Sequence, residues 1–498
     1  MKKRSITHKV RILRIGLIVI VLMSVAVFAK TFVAFDITYR EILFGIIACV
    51  IALVLFKGKR GIEFGFACAV WTMALGYRTI DVGNSISLHP AELLLWGLVL
   101  FVLIERALIG QQFGPLSLPW WVPVMMGFCI WGWFPNAPQS ITWNMQFVQF
   151  KVFLLLIPFF MLASALLRSK GMWNRVIASV LLAGVWVAAV GALEFFVPAT
   201  RGYLKGLIVE TAPLLGEEGF LRAPFSFWGS PDAAYVCMVA TPLVPLVWST
   251  TSNKVVRFLV SLAGFVLLIG IYISGHRSAW LLLLLVAGLW VLLRKGVLWG
   301  MLAVVVGFLA LEVAANLLPQ EAAERFQSGI QVFEGKSSDS SGKKRWARAE
   351  QSLQSIGKHP FGRGWACAGW VHCDFLMVTE NLGMPGGLFF LAAYCVTLVR
   401  LLSAARSRAP SSYDRKIGVS LFLSMLVAGW LLAFESTLVL TQLALPVWSA
   451  WVLGETWVRQ QSTQAMRSHE QANRLRPDPD VQFIGDTAGH ARISEMGR

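Results

Sequence analysis

The 498-residue chain is 56% hydrophobic and only 14% charged, with 33 Phe, 21 Trp and a formal net charge of +17. Soluble domains hold about 25% charged residues, so this composition excludes an ordinary soluble enzyme. The basic balance alone would suit nucleic acid, but the placement of the Lys and Arg residues gives it another meaning.

The apolar residues come in runs of roughly 17 to 25, the length a helix needs to cross a bilayer core of about 30 Å. Lipid offers no hydrogen bonds to the backbone, so such runs must be helical. The expected fold class is all-α: a polytopic integral membrane protein with about 14 transmembrane helices. Spans are expected near 15–33, 42–56, 62–77, 91–109, 118–134, 147–167, 176–197, 232–249, 256–274, 278–293, 297–315, 375–402, 417–434 and 438–457. They group as N-terminal helices (1–197), a first long outer loop (198–231), further helices (232–315), a large outer loop (316–374) and C-terminal helices (375–457). A polar tail (458–498) carrying "RPDPD" is expected to be disordered. The basic 1–14 and apolar 15–29, ending Val27-Phe28-Ala29, also fit a signal peptide, but a retained first span is preferred in so apolar a chain.

With the N-terminus in the cytoplasm, the cytoplasmic segments hold 28 of the 44 Lys and Arg. The short loops opposite hold few, namely Lys30, Arg40, Arg78 and Arg277. Short-loop Lys/Arg bias sets orientation, so both termini are expected in the cytoplasm. The positive charge is mainly a topology signal, and no nucleic-acid partner is expected.

Within the large loop, Gln320 to Glu334 reads as a helix after Pro319, and "GKSSDSSGKK" (335–344) as a flexible break. Arg345 to Ile356 reads as an amphipathic helix with Trp346, Ala349, Leu353 and Ile356 on one face, suited to the membrane interface. Gly357 ends it, and His359-Pro360 turns the chain into "FGRGWACAGW". Five cysteines lie in apolar spans as packing residues, whereas Cys367 and Cys373 lie outside, where a disulfide can form. No zinc-type Cys/His spacing, P-loop, Rossmann fingerprint or HExxH motif is present, so neither metal nor cofactor is expected.

Ionisable groups at membrane depth are costly and mark function by default. Here they gather on the outer side: Arg222 where the first long loop returns, His276 and Arg277 in "ISGHRSAW", and His372, Asp374 and Glu380 at the start of a span. A guanidinium stays charged and can hold a phosphate through two parallel hydrogen bonds. Two arginines meeting at this depth suit a lipid diphosphate; pairing with Glu217, Glu218 or Glu380 is the alternative. A neutral His372 imidazole can take the proton of an attacking hydroxyl, or simply cap a span end through a backbone carbonyl. Glu194, Glu312, Glu435 and Glu455 lie near span ends, where solvation or pairing accounts for them.

The stretch "RWARAEQSLQSIGKHPFGRGWACAGWVHCDFLMVTENLGMPGGLFF" resembles the signature of the bacterial O-antigen ligase and O-antigen polymerase superfamily. "ISGHRSAWLLLLL" and "LRAPFSFWGSPDAAYVC" resemble its two arginine elements, and the likeness covers about residues 215–400. The resemblance implies a C-type membrane glycosyltransferase at the outer (periplasmic) face of the bacterial inner membrane. Its donor would be a glycan on undecaprenyl diphosphate, its acceptor another glycan, a lipid A core or a protein. Carried over, Arg222 and Arg277 would bind the diphosphate and His372 would be the base, with His276, Arg345, Asp374 and Glu380 in support. Cys373 stands where many members have Asn, and the two additional spans have no counterpart. The competing class is a transporter or flippase of a lipid-linked or anionic substrate, which would place its charges at mid-membrane on broken helices.

Overall fold

The computed structural model describes residues 58–75, 80–82, 86–109, 113–135, 141–197, 230–317, 340–368, 371–406, 412–439 and 441–474. In chain order these form α1 (Lys59–Trp71), the strands β1 (Ile80–Val82) and β2 (Ile86–Leu88), α2 (Pro90–Ile109) and α3 (Trp121–Trp131). There follow α4 (Trp143–Leu154), α5 (Leu156–Leu166), α6 (Lys170–Phe196), α7 (Ser230–Ala240), α8 (Val244–Thr250), α9 (Lys254–Ile273) and α10 (Arg277–Lys295). The chain continues through α11 (Val297–Leu317), α12 (Ser340–Lys358), α13 (Asp374–Arg406), α14 (Ser412–Phe434) and α15 (Thr441–Arg474). Two compact units divide after Thr456, and the second is described only through the last part of α15.

Seven helices among the described residues are long and apolar enough to cross a membrane, not fourteen. They are Trp143–Leu166, Lys170–Phe196, Asp232–Thr250, Lys254–Ile273, Ser278–Lys295, Asp374–Arg406 and Tyr413–Phe434. The first two expected spans lie outside the described residues. The expected spans at 62–77 and 118–134 become α1 and α3, of 13 and 11 residues, too short to cross at 1.5 Å per residue. The fold is therefore a multi-pass membrane protein, with fewer full crossings among the described residues than their apolar runs suggest.

The all-α class holds, with one small antiparallel strand pair added, Ile80 opposite Leu88 and Val82 opposite Ile86. Two further expectations change. Residues 340–344, expected as part of the flexible break, are the first turn of α12. The last helix continues to Arg474, so the polar stretch after Arg459 is helical at first rather than irregular. The expected helix from Gln320 to Glu334 lies outside the described residues.

Local signals set several helix starts. Ser169 accepts from the Met172 amide at 3.2 Å to start α6, and Asn253 accepts from the Val255 amide at 2.9 Å to start α9. These side chains satisfy amides that a helix start leaves without partners. Small residues then allow close approach: a Cβ on Gly270 of α9 would stand 2.5 Å from that of Ala188 in α6. An aromatic core joins the two halves of the first unit. Trp121 stacks on Trp451 at 4.8 Å, and Phe153 packs on Trp365, Trp448 and Phe390 within 6 Å. The indole N–H groups are satisfied too: Trp448 donates to the Val152 carbonyl at 3.0 Å, and Trp365 to that of Cys129 at 2.9 Å.

Candidate functional site at one end of the bundle

The approach to the site is built around a break in α13. Gly383 adopts φ +82, and Pro385 follows two residues later. Proline has no N–H, so the Asn381 carbonyl loses the amide it would bind four residues on. The loop after α12 supplies the replacements. Gly364 donates to the Asn381 carbonyl at 3.1 Å, Arg363 to that of Glu380 at 2.9 Å, and the Met384 amide donates back to the Pro360 carbonyl at 2.8 Å. Contact this close requires glycine: a Cβ on Gly383 would lie 2.5 Å from the Phe361 backbone, and one on Gly362 (φ +94) 2.6 Å from the Asn381 carbonyl.

Glu380 locks this junction. Its buried carboxylate accepts from Ser352 at 2.8 Å, Ser355 at 2.7 Å and Arg363 at 3.0 Å. The need for these hydroxyls decides which face of α12 turns inward. Ser352 and Ile356 are buried, while Trp346 is 77% and Leu353 57% exposed, so the four apolar residues expected on one face are divided. Behind the junction, Asn381 accepts from the Ala368 amide at 3.1 Å and donates to Gln149 at 3.0 Å, and Gln149 also accepts from the Ala366 amide at 2.9 Å.

His372 lies just before α13, which starts at Asp374, so it is presented by a loop and not by the helix face it would share with Leu376 and Thr379. Both of its flanks are fixed to the turn between α14 and α15. Ser436 donates to the Val371 carbonyl at 2.7 Å. The fully buried Asp374 accepts from the amides of Thr437 at 2.8 Å and Leu438 at 3.1 Å, and from the Thr437 hydroxyl. His372 Nδ1 is buried and has no hydrogen-bond partner among the described residues. Burial and the Arg345 cation hold the imidazole below its usual range; Glu435 pulls the other way, and Arg348 adds to the lowering. It is thus biased to the neutral form that a base requires.

Beside it, Glu435 binds three elements. Its carboxylate meets His276 Nε2 at 3.0 Å, accepts from Tyr235 of α7 at 3.1 Å, and meets Arg345 of α12 at 3.3 Å. Burial alone would raise this carboxyl. His276 first, then Arg345 and Tyr235, overcome that and take it down to about 2. The His276 nitrogen also lies 3.0 Å from the Ser278 hydroxyl.

Of the residues singled out in the sequence, His276, Arg345, His372 and Asp374 thus meet at one end of the bundle. Arg277 is the first residue of α10, directly after His276. Arg222 lies outside the described residues. Glu380 is in the neighbouring clamp. Cys367 and Cys373 are free thiols, so no disulfide joins them; Cys367 Sγ instead contacts the Arg363 carbonyl at 3.0 Å. Burial pushes the Cys373 thiol up, keeping it protonated. Sequence reasoning missed Tyr235, Ser278, Ser352, Ser355 and the importance of Glu435. Tyr235 sits in an apolar run, and nothing local distinguishes Glu435 from other acids at span ends. Among the described residues no group of His, Cys, Asp and Glu could hold a metal ion.

This arrangement defines a multi-pass membrane protein with a polar, partly buried site where its helices end. Residues 262–382 carry an O-antigen ligase domain, matched by the family of that description. That stretch includes His276, Arg277, Arg345, His372, Asp374 and Glu380, and stops short of Glu435. The matched residues are about a quarter of the chain, and over them it is similar to the O-antigen ligase family. Comparison with curated proteins finds no match.

Proposed function

We propose that the chain is a glycosyltransferase at the periplasmic face of the bacterial inner membrane, with both termini cytoplasmic. Its donor is a glycan on undecaprenyl diphosphate, and its acceptor is the hydroxyl of another glycan or of a lipid A core. The acceptor oxygen bonds to the anomeric carbon of the donor as the bond from that carbon to the diphosphate oxygen breaks. His372 takes the hydroxyl proton as general base. Arg222 and Arg277 hold the diphosphate and balance the charge that grows on it as it leaves, with His276 and Arg345 adding positive charge. Asp374 and Glu380 position the loop that carries His372.

One observation carries this reading: the buried, unpartnered Nδ1 of His372 lies in a loop fastened on both sides, beside Arg345 and Glu435, and Glu435 also binds the residue that precedes Arg277. Replacing His372 by alanine should lower transfer about 100-fold or more, measured in liposomes with lipid-diphosphate glycan extracted from the producing cells. Arg277→Ala should be impaired as well, and near-normal transfer by both variants would remove these roles. For the orientation, a membrane-impermeant thiol reagent outside the cell should label a cysteine placed at residue 340 and not one at residue 410. Labelling at 410 would reverse the topology.

A further inference from the structure

We propose that Glu435 is a positioning residue of this site: through Tyr235, His276 and Arg345 its single carboxylate fixes three separate segments of the chain around His372. The inference rests on the reading of His372 as the base. It concerns a residue outside the matched domain, in the turn between α14 and α15.

The Glu435 side chain is 4% exposed, and a carboxylate withdrawn from water must be paired and hydrogen-bonded to be tolerated. Its partners come from three places in the sequence: Tyr235 in α7; His276, the cap of α10, one residue before Arg277; and Arg345 in α12. The residues following Glu435 hold the two flanks of His372, since Ser436 binds the Val371 carbonyl and the amides of Thr437 and Leu438 bind Asp374. A shift of this turn therefore moves His372, the start of α10 and α12 together. A misplacement of about 1 Å can cost about 100-fold in rate.

Glu435 also balances charge. The ionised groups acting on His372 are Arg345 and Arg348 from α12 and Glu435 from the turn; Cys373, Asp374, Tyr235 and His276 are further titratable groups nearby. The two arginines oppose protonation of His372 and Glu435 favours it. Removing the negative charge should therefore lower the pH at which His372 titrates, and removing Arg345 should raise it.

The test uses the full chain in liposomes with lipid-diphosphate glycan extracted from the producing cells, following release of undecaprenyl diphosphate across pH. Glu435→Gln should lower kcat about 100-fold, change KM far less, and move the acid limb of the rate profile to lower pH. Glu435→Asp should recover part of kcat. Arg345→Gln should move the same limb to higher pH. A purely structural Glu435 would lower the yield of folded protein and leave the limb in place. If Glu435→Gln does not accumulate, Arg345→Gln still decides, because its side chain is 40% exposed and its loss is tolerable; an unmoved limb there overturns the proposal. Inactive His372→Ala beside unaltered Glu435→Gln would overturn this inference alone, whereas active His372→Ala would overturn the reading beneath it.

Discussion

Two buried glutamates at the same end of the bundle, Glu380 and Glu435, use similar chemistry for different ends. Each is about 5% exposed or less and each binds an arginine and at least one hydroxyl. The partners of Glu380, however, are Ser352, Ser355 and Arg363, all within one continuous stretch that folds back on itself. Those of Glu435 come from α7, the start of α10 and α12, and include a histidine. A carboxylate bound to its own neighbourhood makes a clamp; one bound to distant segments makes a junction, whose loss is felt at several places at once.

This contrast can be broken by measurement. The largest stability effect should follow Glu380→Ala, which leaves Arg363 and two inward-facing hydroxyls without their acceptor. Breaking a buried pair costs about 3–5 kcal/mol, and because Arg363 is 32% exposed to screening water the lower end, about 3 kcal/mol, is expected. Thermal unfolding in detergent should record it, with a loss of activity per folded molecule well short of that of Glu435→Gln, because Glu380 holds only one side of the His372 loop. An activity loss as deep as that of Glu435→Gln would erase the distinction between clamp and junction.

Acid should separate the two next. Glu435 titrates at about 2 in the folded protein against an ordinary 4.5, so its pairing stabilises the fold fully above pH 4.5 and is lost as pH falls toward 2. His372 is held below its ordinary 6.5, so the unfolded chain takes up that proton first and stability begins to fall below 6.5. Unfolding followed against pH should show the lower window in the native protein and lose it in Glu435→Gln. A lower window unaltered by that change would assign it to other carboxylates. The smallest effect should come from Ser352→Ala, which removes one of three donors to Glu380 and should cost about 1 kcal/mol; a cost as large as that of Glu380→Ala would mean the clamp is not shared.

Much of the site was legible in the sequence. His276, Arg277, Arg345, His372, Asp374 and Glu380 stand out because ionisable residues are rare at the ends of apolar runs. Glu435 has the same local appearance as Glu455, which pairs with Arg400 at 3.2 Å and Thr397 at 3.0 Å away from this site. Only the partners distinguish the two glutamates, and those of Glu435 lie 90 to 200 residues away in sequence. The inward face of α12 was hidden for a similar reason: its apolar pattern named Trp346 and Leu353, but the acceptor on α13 selected Ser352 and Ser355.

The sequence by itself determined that this is a multi-pass helical membrane protein. Hydrocarbon allows no unsatisfied backbone, and apolar length alone therefore dictates helices. It also supplied the resemblance that the O-antigen ligase domain over residues 262–382 bears out. Tertiary structure decided where each described helix begins and ends, and by length and apolar composition seven of those helices are able to cross a membrane. It also decided how the site is held together. Buried carboxylates must find partners wherever the fold brings them, and the turn at 435–438 draws them from helices that the sequence keeps far apart.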